Sequence, residues 1–121
     1  MKTAVIADDS AVVRRVARSI LEKFGFVCRE ACDGRETLAI CRESMPTLLL
    51  LDWEMPEIDG IEVATTLRAA TGHGPKILFC SNHNDLKHIR QALEAGSDEY
   101  VMKPFDLSII EGKLRNIGLV T

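Results

Sequence analysis

Three acidic side chains and one lysine stand where short apolar segments of the sequence end. Asp8 and Asp9 follow one such segment. Asp52 follows a run of leucines, and Lys103 follows a third segment. If these segments are parallel strands, their carboxyl ends meet at one edge of the sheet and the side chains share a small site. Carboxylates without histidine or cysteine partners favour Mg²⁺. A carboxylate at such a site can attack phosphorus, because the metal and the lysine offset the charge on the transferred oxygens.

Most of these residues also have a local explanation that needs no shared site. Asp8 and Asp9 precede a helical pattern and are ordinary helix caps, and Lys103 can be a surface ammonium beside a turn proline. Ser81 offers a hydroxyl to a phosphate oxygen, but it can equally cap the helix that follows it. Asp52 is harder to explain locally, because a carboxylate at the end of an apolar run loses hydration unless water, a metal or a cation meets it.

The elements that must position these residues follow from the apolar pattern. Short apolar segments alternate with longer segments of helical period, which predicts repeated βα units around a parallel sheet. The third and fourth segments are apolar almost throughout, as strands covered by helices on both faces should be. The predicted strands are Thr3–Ala7, Val27–Ala31, Thr47–Leu51, Lys76–Cys80 and Glu99–Met102.

Five helices are predicted between and after these strands. The first places apolar residues at helical spacing and ends near Gly25, which supplies a helix stop. Its predicted apolar positions are Val12, Val13, Val16, Ile20, Leu21 and Phe24. The others are predicted near residues 33–44, after Asp59-Gly60, near 85–94 and near 107–117, with a loop containing Gly72, Gly74 and Pro75 before the fourth strand.

Length, composition and charge limit the function classes. The 121 residues and the hydrophobic content of 46% predict a single domain over residues 1–121 with one core. The net charge of −3 argues against sequence-independent nucleic-acid binding, which needs a basic surface. No apolar run approaches the roughly 18 residues of a membrane span, and Met1–Ala7 does not read as a signal peptide. We therefore expect a cytoplasmic protein without membrane insertion.

The cysteines and histidines do not predict a transition-metal site. The cysteines show neither a C-x-x-C pair nor a paired zinc-ligand spacing, so we expect buried free thiols. The histidines contain no i, i+4 pair that would form a clamp on one helix. The residues concerned are Cys28, Cys32, Cys41, Cys80, His73, His83 and His88.

Together, the motifs resemble a response-regulator receiver domain of the CheY-like type, and the resemblance covers the whole chain. It is carried by the order and spacing of Asp8-Asp9, Leu51-Asp52-Trp53-Glu54-Met55-Pro56, Asp59-Gly60, Ser81, Tyr100 and Lys103-Pro104-Phe105. The resemblance implies a doubly wound, flavodoxin-like (βα)5 fold. It also implies a five-stranded parallel sheet in the order 2-1-3-4-5, with helices on both faces.

The resemblance also implies roles for individual residues. Asp52 would accept a phosphoryl group. Asp9, Asp52 and the backbone carbonyl of Glu54 would ligate Mg²⁺ directly, and Asp8 would act largely through water. Lys103 would pair with the phosphoryl oxygens.

A second group of residues would respond to the phosphoryl group or tune its chemistry. Ser81 would move toward it, and Tyr100 would swing inward as a switch. A half-buried strand aromatic with its hydroxyl in water explains Tyr100 equally well from sequence. Glu54 and Asn82 lie where members of the family tune reaction rates. We expect the side chain of Asn82 to narrow access to the phosphoryl group.

The function implied is that of a stand-alone response regulator without an output domain. A histidine kinase or phosphotransfer protein would supply the phosphoryl group. A target in chemotaxis, or the next carrier in a phosphorelay, would bind the face made by helix four, strand five and helix five. The protein would be no enzyme beyond its own phosphorylation and dephosphorylation, and a monomer or weak dimer.

Alternative functions lead to different expectations. A phosphate-independent adaptor would keep the fold without the chemistry. An aspartate-nucleophile phosphohydrolase typically needs an Asp-x-Asp pair and a larger covering region. A carrier of FMN would need a phosphate loop rich in Gly, Ser or Thr after the first strand, where Asp8 and Asp9 would repel phosphate.

Overall fold

The computed structural model describes residues 2–71 and 74–121; Met1, and Gly72 and His73 from the predicted loop, lie outside the described residues. Within these ranges the chain forms five strands and five helices in alternation. The strands are β1 Thr3–Ala7, β2 Val27–Ala31, β3 Leu48–Asp52, β4 Lys76–Ser81 and β5 Glu99–Met102. The helices are α1 Ala11–Lys23, α2 Gly34–Glu43, α3 Gly60–Thr71, α4 Leu86–Glu94 and α5 Leu107–Asn116.

The sheet is parallel and has the order β2-β1-β3-β4-β5, which confirms the predicted fold class. Two hydrophobic clusters cover its faces: α1 and α5 pack on one face, and α2, α3 and α4 pack on the other. Leu48 and Leu50 point into the first cluster, and Leu49 and Leu51 point into the second. Each buried leucine contributes about 1.5–3 kcal/mol relative to an exposed one. No helix within the described ranges is both long enough and apolar enough to cross a bilayer.

The observed strand ends place two of the candidate residues inside the sheet. The third strand runs one residue further than predicted and ends on Asp52, which is paired in register with Cys80. The fourth strand also runs one residue further and ends on Ser81, opposite Met102 of β5. The backbone at both residues is therefore held by strand pairing rather than placed in a loop.

Two sequence expectations about burial are wrong. Val12 and Val16 were expected on the apolar face of the first helix, but they are 67% and 46% exposed. Of the predicted positions, Ile20 and Leu21 do enter the core, and Ala17 enters it with them. Cys32 was expected to be buried, but it lies exposed in the turn after β2.

Candidate functional site

A lysine ammonium lies between two buried carboxylates at the carboxyl edge of the sheet. Lys103 Nζ is 2.8 Å from Asp8 Oδ2 and 3.0 Å from Asp52 Oδ1. Asp8 follows β1, Asp52 ends the neighbouring β3, and Lys103 follows β5, so its side chain must cross the end of β4. The side chains of Asp8 and Asp52 are only 4% and 6% exposed. The structure thus brings together the residues that the strand ends predicted.

Asp9 adds a third, exposed carboxylate to this group. One carboxylate oxygen each from Asp8, Asp9 and Asp52 lies within 4.8 Å of the others. Because the donor set consists only of carboxylate oxygens beside one charged amine, it fits a hard divalent cation such as Mg²⁺ better than a softer metal. Glu54 is expected to add its backbone carbonyl, and that role stays a prediction.

The loop that carries Asp8 and Asp9 is fixed from the first turn of α1. Ser10 caps the helix by accepting a hydrogen bond from Val13 N at 3.3 Å, and its own N–H donates to Asp8 Oδ1 at 2.9 Å. Arg14 Nη1 donates to the backbone oxygen of Asp8 at 2.7 Å. The sequence did not predict this bond of Arg14, although the position of Arg14 one helical turn after the cap was the available signal.

Burial and charge act in opposite directions on the two central groups. Burial raises the pKa of Asp52 from 3.8 to about 6, because the bond from Lys103 offsets the lost hydration only in part and Asp8 adds repulsion. Burial alone would lower the pKa of Lys103, but its bonds to Asp8 and Asp52 hold it above the ordinary value. Lys103 therefore stays charged, and Asp52 without a further cation takes up a proton in weakly acidic solution.

Ser81 and Tyr100 both contact the backbone of His83. The buried Ser81 hydroxyl accepts a hydrogen bond from His83 N at 3.1 Å. The Tyr100 hydroxyl donates to His83 O at 2.7 Å, and the ring stacks on Phe79 with 6.2 Å between centroids. Tyr100 is only 6% exposed, so of the two sequence interpretations the half-buried ring with its hydroxyl in water is wrong. Sequence periodicity gave no signal for this shared contact.

The two residues expected to tune rates lie at the surface near this site. Glu54 is exposed and its Oε1 is 2.8 Å from His83 Nε2, so its carboxylate is engaged with a histidine. Asn82 is exposed and lines a cavity of about 410 Å³ next to Lys103. The other residues lining that cavity are Val12, Val13, Val16, Pro104 and Phe105. The exposed valines of α1 therefore form one wall of an apolar cavity beside the lysine.

Comparison with known proteins identifies similar sequences over nearly the whole chain. The family model "Response regulator receiver domain" matches residues 4–115. The phosphate regulon transcriptional regulatory protein PhoB of Pseudomonas aeruginosa is 34% identical over 118 residues, which are 96% of this chain and 51% of that protein. The probable transcriptional regulator ycf27 of Porphyridium aerugineum is 32% identical over 113 residues, 93% of this chain and 46% of that protein. The chain thus spans about half the length of these relatives.

Solved structures share the same fold. The chemotaxis protein CheY4 of Vibrio cholerae superposes with a TM-score of 0.89, at 23% identity, over 97% of this chain and 98% of that one. This likeness concerns the fold alone, because the identity is low.

Proposed function

The chain belongs to the response regulator receiver domain family, and from that membership we propose that Asp52 accepts a phosphoryl group from a phosphohistidine. The donor would be a histidine kinase or a histidine phosphotransfer protein of a two-component system. Asp8, Asp9, Asp52 and the Glu54 carbonyl would hold Mg²⁺, which when bound offsets negative charge on the transferred oxygens.

The position of the Lys103 ammonium carries this proposal. It lies within 3.0 Å of oxygens of both Asp8 and Asp52, and its side chain is 16% exposed. A cation at this place compensates the buried carboxylates before the reaction. The ammonium would also lie next to the oxygens of a phosphoryl group on Asp52, and a charged hydrogen bond from it would stabilise those oxygens.

The proposed transfer takes place between the donor and Asp52 while Mg²⁺ is bound at the site. An oxygen of the Asp52 carboxylate attacks phosphorus, and a new O–P bond forms. The P–N bond of the phosphohistidine breaks, and the imidazole nitrogen keeps the electron pair. The acyl phosphate is later lost when water attacks phosphorus, which restores the carboxylate and releases inorganic phosphate. On this proposal the protein catalyses only its own phosphorylation and dephosphorylation.

The signal would pass through Ser81 and Tyr100 to the face made by α4, β5 and α5. Both residues bond to the backbone of His83, so a movement of Ser81 toward the phosphoryl group changes the loop on which Tyr100 rests. That face includes a groove of about 410 Å³ lined in part by Met102 and Ile109, which are 39% and 44% exposed. Apolar side chains around a groove favour a protein target.

The relatives of the chain differ in the kind of target that their names indicate. PhoB and ycf27 are transcriptional regulators by name, and CheY4 is a chemotaxis protein. We propose that the domain acts in the cytoplasm and passes its signal to a protein, in motility or as a phosphorelay carrier.

Intact-mass measurement after incubation with acetyl phosphate tests the proposed chemistry. We expect the parent protein to gain one phosphoryl group with Mg²⁺, to gain none in EDTA, and to gain none when Asp52 is replaced by asparagine. Beryllofluoride, a phosphoryl mimic, is added in parallel. A parent protein that neither gains mass nor binds beryllofluoride would instead be a phosphate-independent adaptor.

A further inference from the structure

A second group of potential metal ligands lies between β4 and the first turn of α4. His83, Asp85 and His88 each offer one ligand atom, and these atoms lie within 4.8 Å of one another. His88 Nδ1 is 2.6 Å from Asp85 Oδ1. The His83 and His88 rings are stacked, with 3.9 Å between their centroids. The group is separate from the acidic carboxylates and was not indicated by sequence spacing.

His83 also pairs with a carboxylate outside this group of three residues. Glu54 Oε1 lies 2.8 Å from His83 Nε2. Metal-binding histidines usually have the second ring nitrogen paired with a carboxylate or carbonyl, which fixes the ring and raises the basicity of the ligand nitrogen. With Nδ1 of His83 as the metal ligand, the pairing of its Nε2 with Glu54 would supply such an outer contact.

We propose that His83, Asp85 and His88 bind a transition-metal ion of the Zn²⁺ type at a second cation site. Two imidazole nitrogens and one carboxylate oxygen suit Zn²⁺, whereas the all-oxygen acidic site suits Mg²⁺. The three side chains are 35%, 50% and 31% exposed in that order, so an ion can reach them from solvent and water can complete its coordination.

Binding requires a small rearrangement of these side chains. Zinc bonds of about 2.0–2.2 Å hold neighbouring ligand atoms roughly 3–4 Å apart. In the structure the ligand atoms of the three residues lie within 4.8 Å of one another, which is a wider limit than a bound ion sets. The two rings lie within 8° of parallel, and a metal bond lies in the plane of its imidazole. At least one ring must therefore rotate before both can bind the same ion.

The rearrangement has a built-in reporter in Trp53, the only tryptophan of the chain. Its ring centroid is 5.8 Å from that of His83 and 5.1 Å from that of His88. Rotation of either histidine changes the surroundings of the indole, so ion binding changes its fluorescence. The same ion would restrain the loop whose backbone contacts Ser81 and Tyr100. Binding itself does not depend on the proposed phosphoryl chemistry.

Titration of metal-free protein with ZnCl₂ in excess Mg²⁺ tests the proposal, by calorimetry and by tryptophan fluorescence. We expect one saturable site and a fluorescence change that saturates with it. His83→Gln and His88→Gln should each weaken binding by at least about 10- to 100-fold, the loss typical of removing an outer-shell partner alone. Far-UV circular dichroism checks that both variants are folded.

Two matched variants locate the site. Asp9→Asn alters the acidic site, and His73→Gln removes the histidine that lies outside the described residues; both should bind Zn²⁺ like the parent. The absence of saturable binding would overturn the proposal. So would unchanged affinity in either His83→Gln or His88→Gln, or a loss of binding in Asp9→Asn or His73→Gln.

Discussion

At the scale of single residues, the Asp52 carboxyl is buried, and the proposed phosphoryl transfer requires it to be negatively charged. Its pKa rises from 3.8 to about 6 on burial, so folding favours the protonated form. The contribution of Asp52 to stability is therefore fully present below pH 4 and is lost as the pH rises through 6. The charged Asp52 carboxylate lowers the stability of the fold at neutral pH. Its presence is therefore not explained by stability, which supports a chemical role.

Replacement of Asp52 by asparagine tests this directly, in EDTA to remove divalent cations. We expect the free energy of unfolding of Asp52→Asn, relative to the parent, to rise by up to about 3 kcal/mol between pH 4 and pH 7. Urea unfolding followed by circular dichroism measures it. The control is Glu43→Gln, which alters a side chain that is 70% exposed. Parallel pH profiles of the parent and Asp52→Asn would contradict the assigned shift.

At the scale of elements, α3 and β3 are packed so closely that no side chain fits between them at Gly60. A Cβ on Gly60, the first residue of α3, would collide with the backbone oxygen of Asp52 and lie 2.9 Å from Phe79 Cζ. The Gly60 N–H also donates to Trp53 O at 2.8 Å. The helix therefore starts directly against the residue that ends the strand.

We expect Gly60→Ala to destabilise the protein by about 1–3 kcal/mol, because the added methyl group must push the helix off the strand. Gly112→Ala is the matched control: a Cβ there meets nothing within 4 Å, and alanine in a helix gains about 0.5–1 kcal/mol over glycine. Thermal unfolding of both variants measures the difference. Equal stability of the two would show that α3 can move away from Asp52 without cost.

The elements themselves were largely predictable from the sequence. The apolar pattern located β1, β2 and β5 with the observed limits, because period and burial agree in these segments. It ended β3 and β4 one residue early, since Asp52 and Ser81 are polar and only pairing with neighbouring strands extends the sheet to them. It also placed Val12 on the buried face of α1. Val12 is 67% exposed and lines a cavity together with Pro104 and Phe105, which are distant in sequence.

The site was predictable only where strand ends determine it. Asp8, Asp52 and Lys103 meet because parallel strands bring their carboxyl ends together. The contacts made by His83 depend on the path of the loop after β4, which no periodicity records. Spacing rules for metal ligands on one helix therefore did not indicate the proposed ligands His83, Asp85 and His88, which come from this loop and the start of α4.

At the scale of the whole molecule, ion binding and folding are linked. A cation that binds only the folded acidic site stabilises the protein, and Mg²⁺ at about a hundred times its Kd should add about 2.7 kcal/mol to the free energy of unfolding. Urea unfolding with and without Mg²⁺ measures this gain.

Two aspartate variants distinguish site binding from a general salt effect. Asp9→Asn should lose most of the gain, because it removes one carboxylate of the group. Asp33→Asn should keep it, because this residue caps α2, where asparagine also serves as a cap. An equal gain in all three proteins would show that Mg²⁺ does not act at the acidic site.

Mapping the phosphoryl group tests most directly whether Asp52 is the acceptor. The protein is incubated with acetyl phosphate and Mg²⁺ and then treated with borohydride, which reduces an acyl phosphate of aspartate to homoserine. Peptide sequencing by mass spectrometry then locates the converted residue. We predict homoserine at position 52 alone. Conversion at Asp8 or Asp9, or a phosphoryl group on His83 or His88 with position 52 unchanged, would contradict the proposed function.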